Sequence, residues 1–186
     1  MKITNLRIYS RGYLPRPIIE AVLDLYANKT SLKDVPSEVV EYMRSKNMAN
    51  ASFGMMLTDI VRPEYTLDDD ENWVTLEAQV ESQLNSYNRN FMRFQFYTWG
   101  IYVTAHARHS LWRAIFEFKE DYVYSDTDSV KGLNFESHIP WLEAENLLVR
   151  SQLIKMCAAM EIPFSRCCPK TIKGEPKMLG AWEIER

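Results

Sequence analysis

The chain has 186 residues, of which 46% are hydrophobic and 12% aromatic, with 22 Lys and Arg against 25 Asp and Glu for a formal net charge of −3. That length supports one domain with a real core, or one and a half small ones, and the apolar content excludes a chain disordered by composition. No apolar run approaches a membrane span, the opening MKITNLRIYS lacks the apolar centre of a signal peptide, and the negative balance does not favour a free-standing nucleic-acid binder, although a local basic groove stays open. A cytoplasmic protein with no membrane partner is expected.

In chain order, Ile3, Leu6 and Ile8 alternate with polar neighbours and predict an edge strand over residues 1–13. Pro15 and Pro17 open a helix that carries Ile18, Val22 and Leu25 at helical spacing, with Ile19 and Tyr26 beside them. Residues 28–34 read as a polar connection. A second helix starts at Val35-Pro36-Ser37-Glu38, with Ser37 as N-cap, and runs to about Leu57. Its period sets Val40, Met48, Ala51 and Met55 on one side as a core face. Lys46, Asn50, Phe53 and Leu57 share the other side. Residues 59–72 read as a loop around Pro63 and the acidic run Asp68–Glu71, a pattern that is commonly just solvated. For residues 73–98, Trp73, Leu76, Val80 and Leu84 fit a helix and Phe91–Tyr97 a strand, with a long hairpin as the alternative.

A helix is expected over residues 100–118, with Ile101, Ala105, Leu111 and Ile115 toward the core and Thr104 and Arg108 together on another face beside the small Ala107. A hydroxyl, an arginine and a small residue suit a backbone phosphate, because the small residue permits close approach. An exposed helix face explains them equally. Tyr122, Val123 and Tyr124 lead as a strand into Asp126-Thr127-Asp128, and Ser129 and Val130 lead out, so a β-hairpin carries two carboxylates near its tip. In an extended segment residues i and i+2 project to one side. Two carboxylates crowded together favour a cation between them, and oxygen donors suit Mg²⁺ or Mn²⁺. Asp, Thr and Ser are also common turn residues, so a polar turn is the plain alternative. A helix over residues 141–160 follows, with Leu147, Val149, Leu153 and Ile154 as a buried stripe. Residues 161–176 then read as loop, and a strand is expected to open at Lys177. Cys157, Cys167 and Cys168 show no C-x-x-C spacing and read as reduced structural thiols. His106 and His109 lack the carboxylate pattern of a metal site.

Taken together, these motifs resemble those of family B DNA polymerases. Tyr124-Ser125-Asp126-Thr127-Asp128-Ser129 resembles the YxDTDS palm motif. Lys46-Asn47-Met48-Ala49-Asn50-Ala51-Ser52-Phe53-Gly54 resembles Kx3NSxYG, with Phe in place of Tyr and Ala in place of Ser. Thr104-Ala105-His106-Ala107-Arg108 resembles the TxxAR motif of the protein-primed bacteriophage branch, and Lys177-Met178-Leu179-Gly180-Ala181-Trp182 is similar to a later palm segment of that branch. The order is the family's, and the resemblance covers nearly the whole chain.

The resemblance implies an α+β fold: a palm-type antiparallel sheet backed by helices, with a helical fingers segment. Residues 1–13 would be a palm or fingers edge strand, 14–58 fingers helices, 59–98 an insertion or connector, and 99–186 an incomplete palm. It implies template-directed nucleotidyl transfer in phage DNA replication, with two Mg²⁺ or Mn²⁺ ions held by Asp128, Asp126 in support, and an aspartate outside this chain. Lys46, Asn50 and Phe53 would bind the deoxynucleoside triphosphate, and Thr104, Ala107 and Arg108 the primer–template DNA. A terminal protein and the remaining N-terminal part of the polymerase are the further partners implied. The family's first palm motif, DxxSLYPS, does not occur in these 186 residues, so the chain alone is expected to be inactive. A subunit of a split polymerase and a non-catalytic DNA-binding relic are the alternatives.

Overall fold

The structure, a computed structural model, describes residues 12–185. Among these residues, five α-helices and two antiparallel hairpins divide into two compact units. One takes in the described residues up to Ala49 together with those from Ser110 onward, and the other is Asn50–His109. The mixed helical and antiparallel-strand character expected from the sequence is present. The strand expected at the start lies outside the described residues, apart from the final Gly12 and Tyr13.

In the first unit, α1 (Arg16–Leu32) begins at the prolines and buries Ile19 and Leu23. It runs straight through most of the expected polar connection at 28–34. Thr30 is the reason: its hydroxyl donates to the Tyr26 carbonyl at 2.8 Å, so it is buried within the helix with its polar group satisfied. Helix α5 (Ile139–Met160) stops at Glu161, whose φ of +54° turns its N–H back onto the Cys157 carbonyl. Ile19, Leu23, Cys157, Ile162 and Cys167 form one buried cluster, with Leu14, Leu153 and Met156 packed around it.

The stripe expected on α5 is corrected. Leu147 and Ile154 are exposed, whereas Leu142, Glu145 and Cys157 are buried. The helix is apolar on most sides, so its period alone does not choose the inward face. Glu145 is buried because the Arg113 guanidinium donates to its carboxylate. The expected closing strand is also absent, and residues 177–185 are irregular. They are held by side chains and single backbone bonds: Leu179 N–H to the Cys167 carbonyl at 2.9 Å, and Asn146, which donates to the Trp182 carbonyl at 3.0 Å and accepts its N–H at 2.7 Å.

Helix α2 (Val39–Met56) follows a 3-10 turn at Pro36–Glu38, which contains Ser37. Its expected core face is wrong as well. Val40 is 82% exposed, while Ser45 and Met56 are buried and Tyr42, Ala49 and Phe53 half-buried. The inward stripe keeps a helical period but passes through small and polar residues, which hydrophobicity alone does not mark.

In the second unit, Glu64–Leu67 (β1) and Trp73–Leu76 (β2) pair antiparallel, so Trp73 and Leu76 stand in a strand and not in the expected helix. The acidic run closes this hairpin. Asp68 Oδ1 accepts the N–H groups of Asp70 and Asn72 at 3.0 and 2.8 Å, and Glu71 takes a φ of +61°. Helix α3 spans Val80–Arg89. The strand expected at 91–97 does not form, because the Asn90 side chain accepts the Met92 N–H at 2.9 Å and bends the chain. Helix α4 (Tyr97–Phe118), whose residues from Ser110 onward belong to the first unit, begins three residues earlier than expected. Gly100, Ala114 and Phe118 are its buried positions, whereas Ile101 and Ala105 are exposed. Among the described residues no helix is long and apolar enough to cross a membrane.

Candidate functional site: a hairpin carrying paired carboxylates

The sequence Tyr-Val-Tyr before the aspartates favours extended backbone, and the polar Thr127-Asp128 pair permits a reversal. The chain forms β3 (Tyr122–Asp126) and β4 (Ser129–Gly132), with Asp126 opposite Ser129 across the two-residue turn. The placement of the carboxylates is therefore set by the turn and not by strand alternation: Asp126 ends the strand and Asp128 lies in the reversal. Both are exposed.

The turn is held tightly. The Asp128 N–H donates to the Asp126 carbonyl at 2.6 Å, and Ser129 Oγ donates to the same carbonyl at 3.1 Å. Thr127 Oγ1 donates to Asp126 Oδ1 at 2.9 Å, which orients that carboxylate. Thr127 takes a φ of +49°. A β-branched residue is strained there, and such strain gathers where a particular geometry is maintained. The donor set is all oxygen, two carboxylates with neighbouring hydroxyls, and it fits a hard divalent cation in chemical type. Among the described residues no cluster of three or more His, Cys, Asp or Glu is arranged to hold a metal ion.

The root of the hairpin is anchored by residues the motif reading did not single out. The Asp121 carbonyl accepts the Leu133 N–H at 2.8 Å, and its Oδ1 accepts from Asn134 Nδ2 at 2.8 Å. His138 is buried, with Nδ1 at 3.3 Å from Glu117 Oε1 and Nε2 at 3.3 Å from Asp121 Oδ2. Its ring stacks on Phe118 with centroids 4.2 Å apart. A shallow depression opens between Glu117, Asp121, Ser137 and His138. Asn134, left-handed at φ +47°, is the sequence signal for this anchor, since Asn is among the few residues that tolerate that conformation.

The remaining singled-out residues lie on helices. Lys46 and Asn50 are exposed on α2, and Phe53 is half-buried there. On α4, Ala107 and Arg108 are exposed. Thr104 is half-buried, and its hydroxyl is already bonded to the Ile101 carbonyl at 2.9 Å. Lys46 belongs to the same unit as the hairpin, whereas Asn50, Phe53, Thr104, Ala107 and Arg108 belong to the other.

The cysteines form a separate buried group. Cys157 Sγ and Cys167 Sγ lie 3.5 Å apart. Burial, followed by the bond to Cys157, pushes the Cys167 thiol up to about 12, and burial also raises Cys168. Comparison with known protein families, curated proteins and solved structures finds no match to this chain.

Proposed function

We propose that the chain is part of a family B DNA polymerase of the protein-primed phage branch and carries one side of the nucleotidyl-transfer site. The observation that carries this reading is the tight turn at Asp126-Thr127-Asp128. It presents two exposed carboxylates on a rooted antiparallel hairpin and maintains a strained Thr127 to do so. In this reading the hairpin, α4 and α5 belong to the palm, and α1 and α2 to the fingers. Asp128 is the principal ligand of Mg²⁺ or Mn²⁺, with Asp126 beside it. A cation held by these two carboxylates would supply charge neutralisation for phosphoryl transfer. Lys46 supplies a point charge to the triphosphate, Asn50 a hydrogen bond and Phe53 a flat face for the sugar. Thr104, Ala107 and Arg108 hold the primer–template backbone.

Binding measured by fluorescence anisotropy tests this. Labelled deoxynucleotide should bind in a Mg²⁺- or Mn²⁺-dependent manner that Asp128→Ala removes and Lys46→Ala weakens, while Arg108→Ala weakens binding of primer–template DNA. Binding indifferent to metal and to all three substitutions would overturn the assignment. Primer extension by the chain alone, abolished by Asp128→Ala, would overturn the view that another aspartate must be supplied from outside these residues.

A further inference from the structure

The hairpin of the second unit has one bare face. Its register places Tyr65 opposite Thr75 and Leu67 opposite Trp73, so Tyr65, Leu67 and Trp73 share a side. They are 67%, 50% and 73% exposed. Glu64, Thr66, Val74 and Leu76 share the other side, which faces α3: Gln83 Nε2 reaches Glu64 Oε1 at 3.4 Å, and Val74 is half-buried. The root is fixed by the same glutamine, which accepts the Arg62 N–H at 2.9 Å and donates to the Arg62 carbonyl at 2.8 Å. A large, rigid aromatic surface is thus held out to solvent, and Trp and Tyr are the residues that most often dominate binding energy.

The charge around this face identifies its occupant. Between Arg62 and Arg89 stand Glu64, Asp68, Asp69, Asp70, Glu71, Glu77 and Glu81, with no Lys or Arg among them. All seven are exposed, and none is in an ion pair among the described residues. The remainder of the chain holds 22 cationic against 18 acidic residues, so negative charge is concentrated at this hairpin. That field repels nucleic acid and anionic lipid, and it repels the same face of a second copy. We infer that the β1–β2 hairpin is a docking surface for a cationic protein segment, one that places apolar side chains against Tyr65, Leu67 and Trp73 and Lys or Arg against the carboxylates of the turn, Asp68 to Glu71. Complementary charge of this kind steers encounter and excludes wrong partners. The inference does not depend on the polymerase reading.

Three synthetic twelve-residue peptides test it. Each alternates the same Val, Leu and Tyr residues with Lys and Arg, with Ser or with Glu, and binding to the full chain is followed by calorimetry. The cationic peptide should bind, and the Ser and Glu peptides should not. Trp73→Ser should weaken that binding by at least about 10-fold, Asp69→Asn with Asp70→Asn should weaken it further, and far-UV circular dichroism should be unchanged in both variants. Cationic binding indifferent to Trp73→Ser would reduce it to unspecific charge attraction and overturn the proposal. A single-stranded DNA oligonucleotide whose binding Trp73→Ser abolishes, or a dimer in sedimentation that Trp73→Ser dissociates, would assign the face to nucleic acid or to a second copy and overturn it as well.

Discussion

Replacing Gly132 with alanine tests how the carboxylate hairpin is seated. Gly132 ends β4 opposite Tyr122, at the root of the hairpin. A Cβ built there would overlap Phe118 Cδ1 and lie 2.5 Å from Phe118 Cε1 and 2.9 Å from the Asp121 carbonyl oxygen. Neither neighbour yields readily. Phe118 is 3% exposed, stacked on His138 and in contact with Phe135 at 5.8 Å between centroids, and the Asp121 carbonyl is engaged by the Leu133 N–H. Gly132 does not have a positive φ, so alanine meets no backbone strain and gains about 0.4–1 kcal/mol by restricting the unfolded chain. Forcing a methyl into a filled space costs about 1–3 kcal/mol, so a net loss of roughly 1–2 kcal/mol is expected. For a chain of this size that lowers Tm by about 2–4 °C per kcal/mol. Urea and thermal unfolding followed by circular dichroism measure it, with Phe118→Leu as a second background. If the ring causes the clash, Gly132→Ala costs less once the ring is gone. A neutral or stabilising Gly132→Ala, or an equal cost in both backgrounds, refutes the packing argument.

Three further outcomes are expected. Thr127→Gly should raise stability by up to about 1 kcal/mol by relieving the positive φ, measured by urea unfolding, and should weaken the proposed metal-dependent nucleotide binding because Asp126 loses its hydroxyl donor. Arg113→Ala should destabilise by about 1–3 kcal/mol, because it strands the buried Glu145 carboxylate; Glu145→Gln in the same background should recover part of that loss in the same unfolding assay. Stability should fall as pH rises above about 9 toward about 12, because the unfolded chain releases the Cys167 proton over that window while the folded chain retains it. Cys167→Ala should flatten that part of the unfolding profile.

Local chemistry was enough to locate several elements. Pro15 and Pro17 opened α1, apolar spacing placed α4 and α5 within a few residues, and Tyr-Val-Tyr ahead of Asp126-Thr127-Asp128 placed the carboxylate hairpin. Each depends on backbone preferences or on neighbours within one turn, which a linear reading captures. The candidate carboxylates were legible for the same reason, since they lie two residues apart. The residues that root their hairpin were not, because Glu117, Asp121, Asn134 and His138 meet only after the chain has folded back across 13 to 21 positions.

Helix orientation was likewise beyond the sequence. On α5, Leu147 and Ile154 are as apolar as Leu142 and Leu153, and on α2 the polar Ser45 is buried while Val40 faces solvent. When apolar residues surround a helix, the inward side is chosen by the surfaces available to pack against it. Trp73–Leu76 became a strand only because Glu64–Leu67 lay alongside to pair with it, and residues 177–185 stayed irregular because their bonds go to Cys167, Pro169 and Asn146 and not to a neighbouring strand. The sequence by itself determined where α1, α4 and α5 lie to within a few residues and where the Asp126-Thr127-Asp128 hairpin reverses. The tertiary structure alone decided which faces are buried and which long-range bonds seat the hairpin, because those depend on groups distant in sequence reaching one another in space.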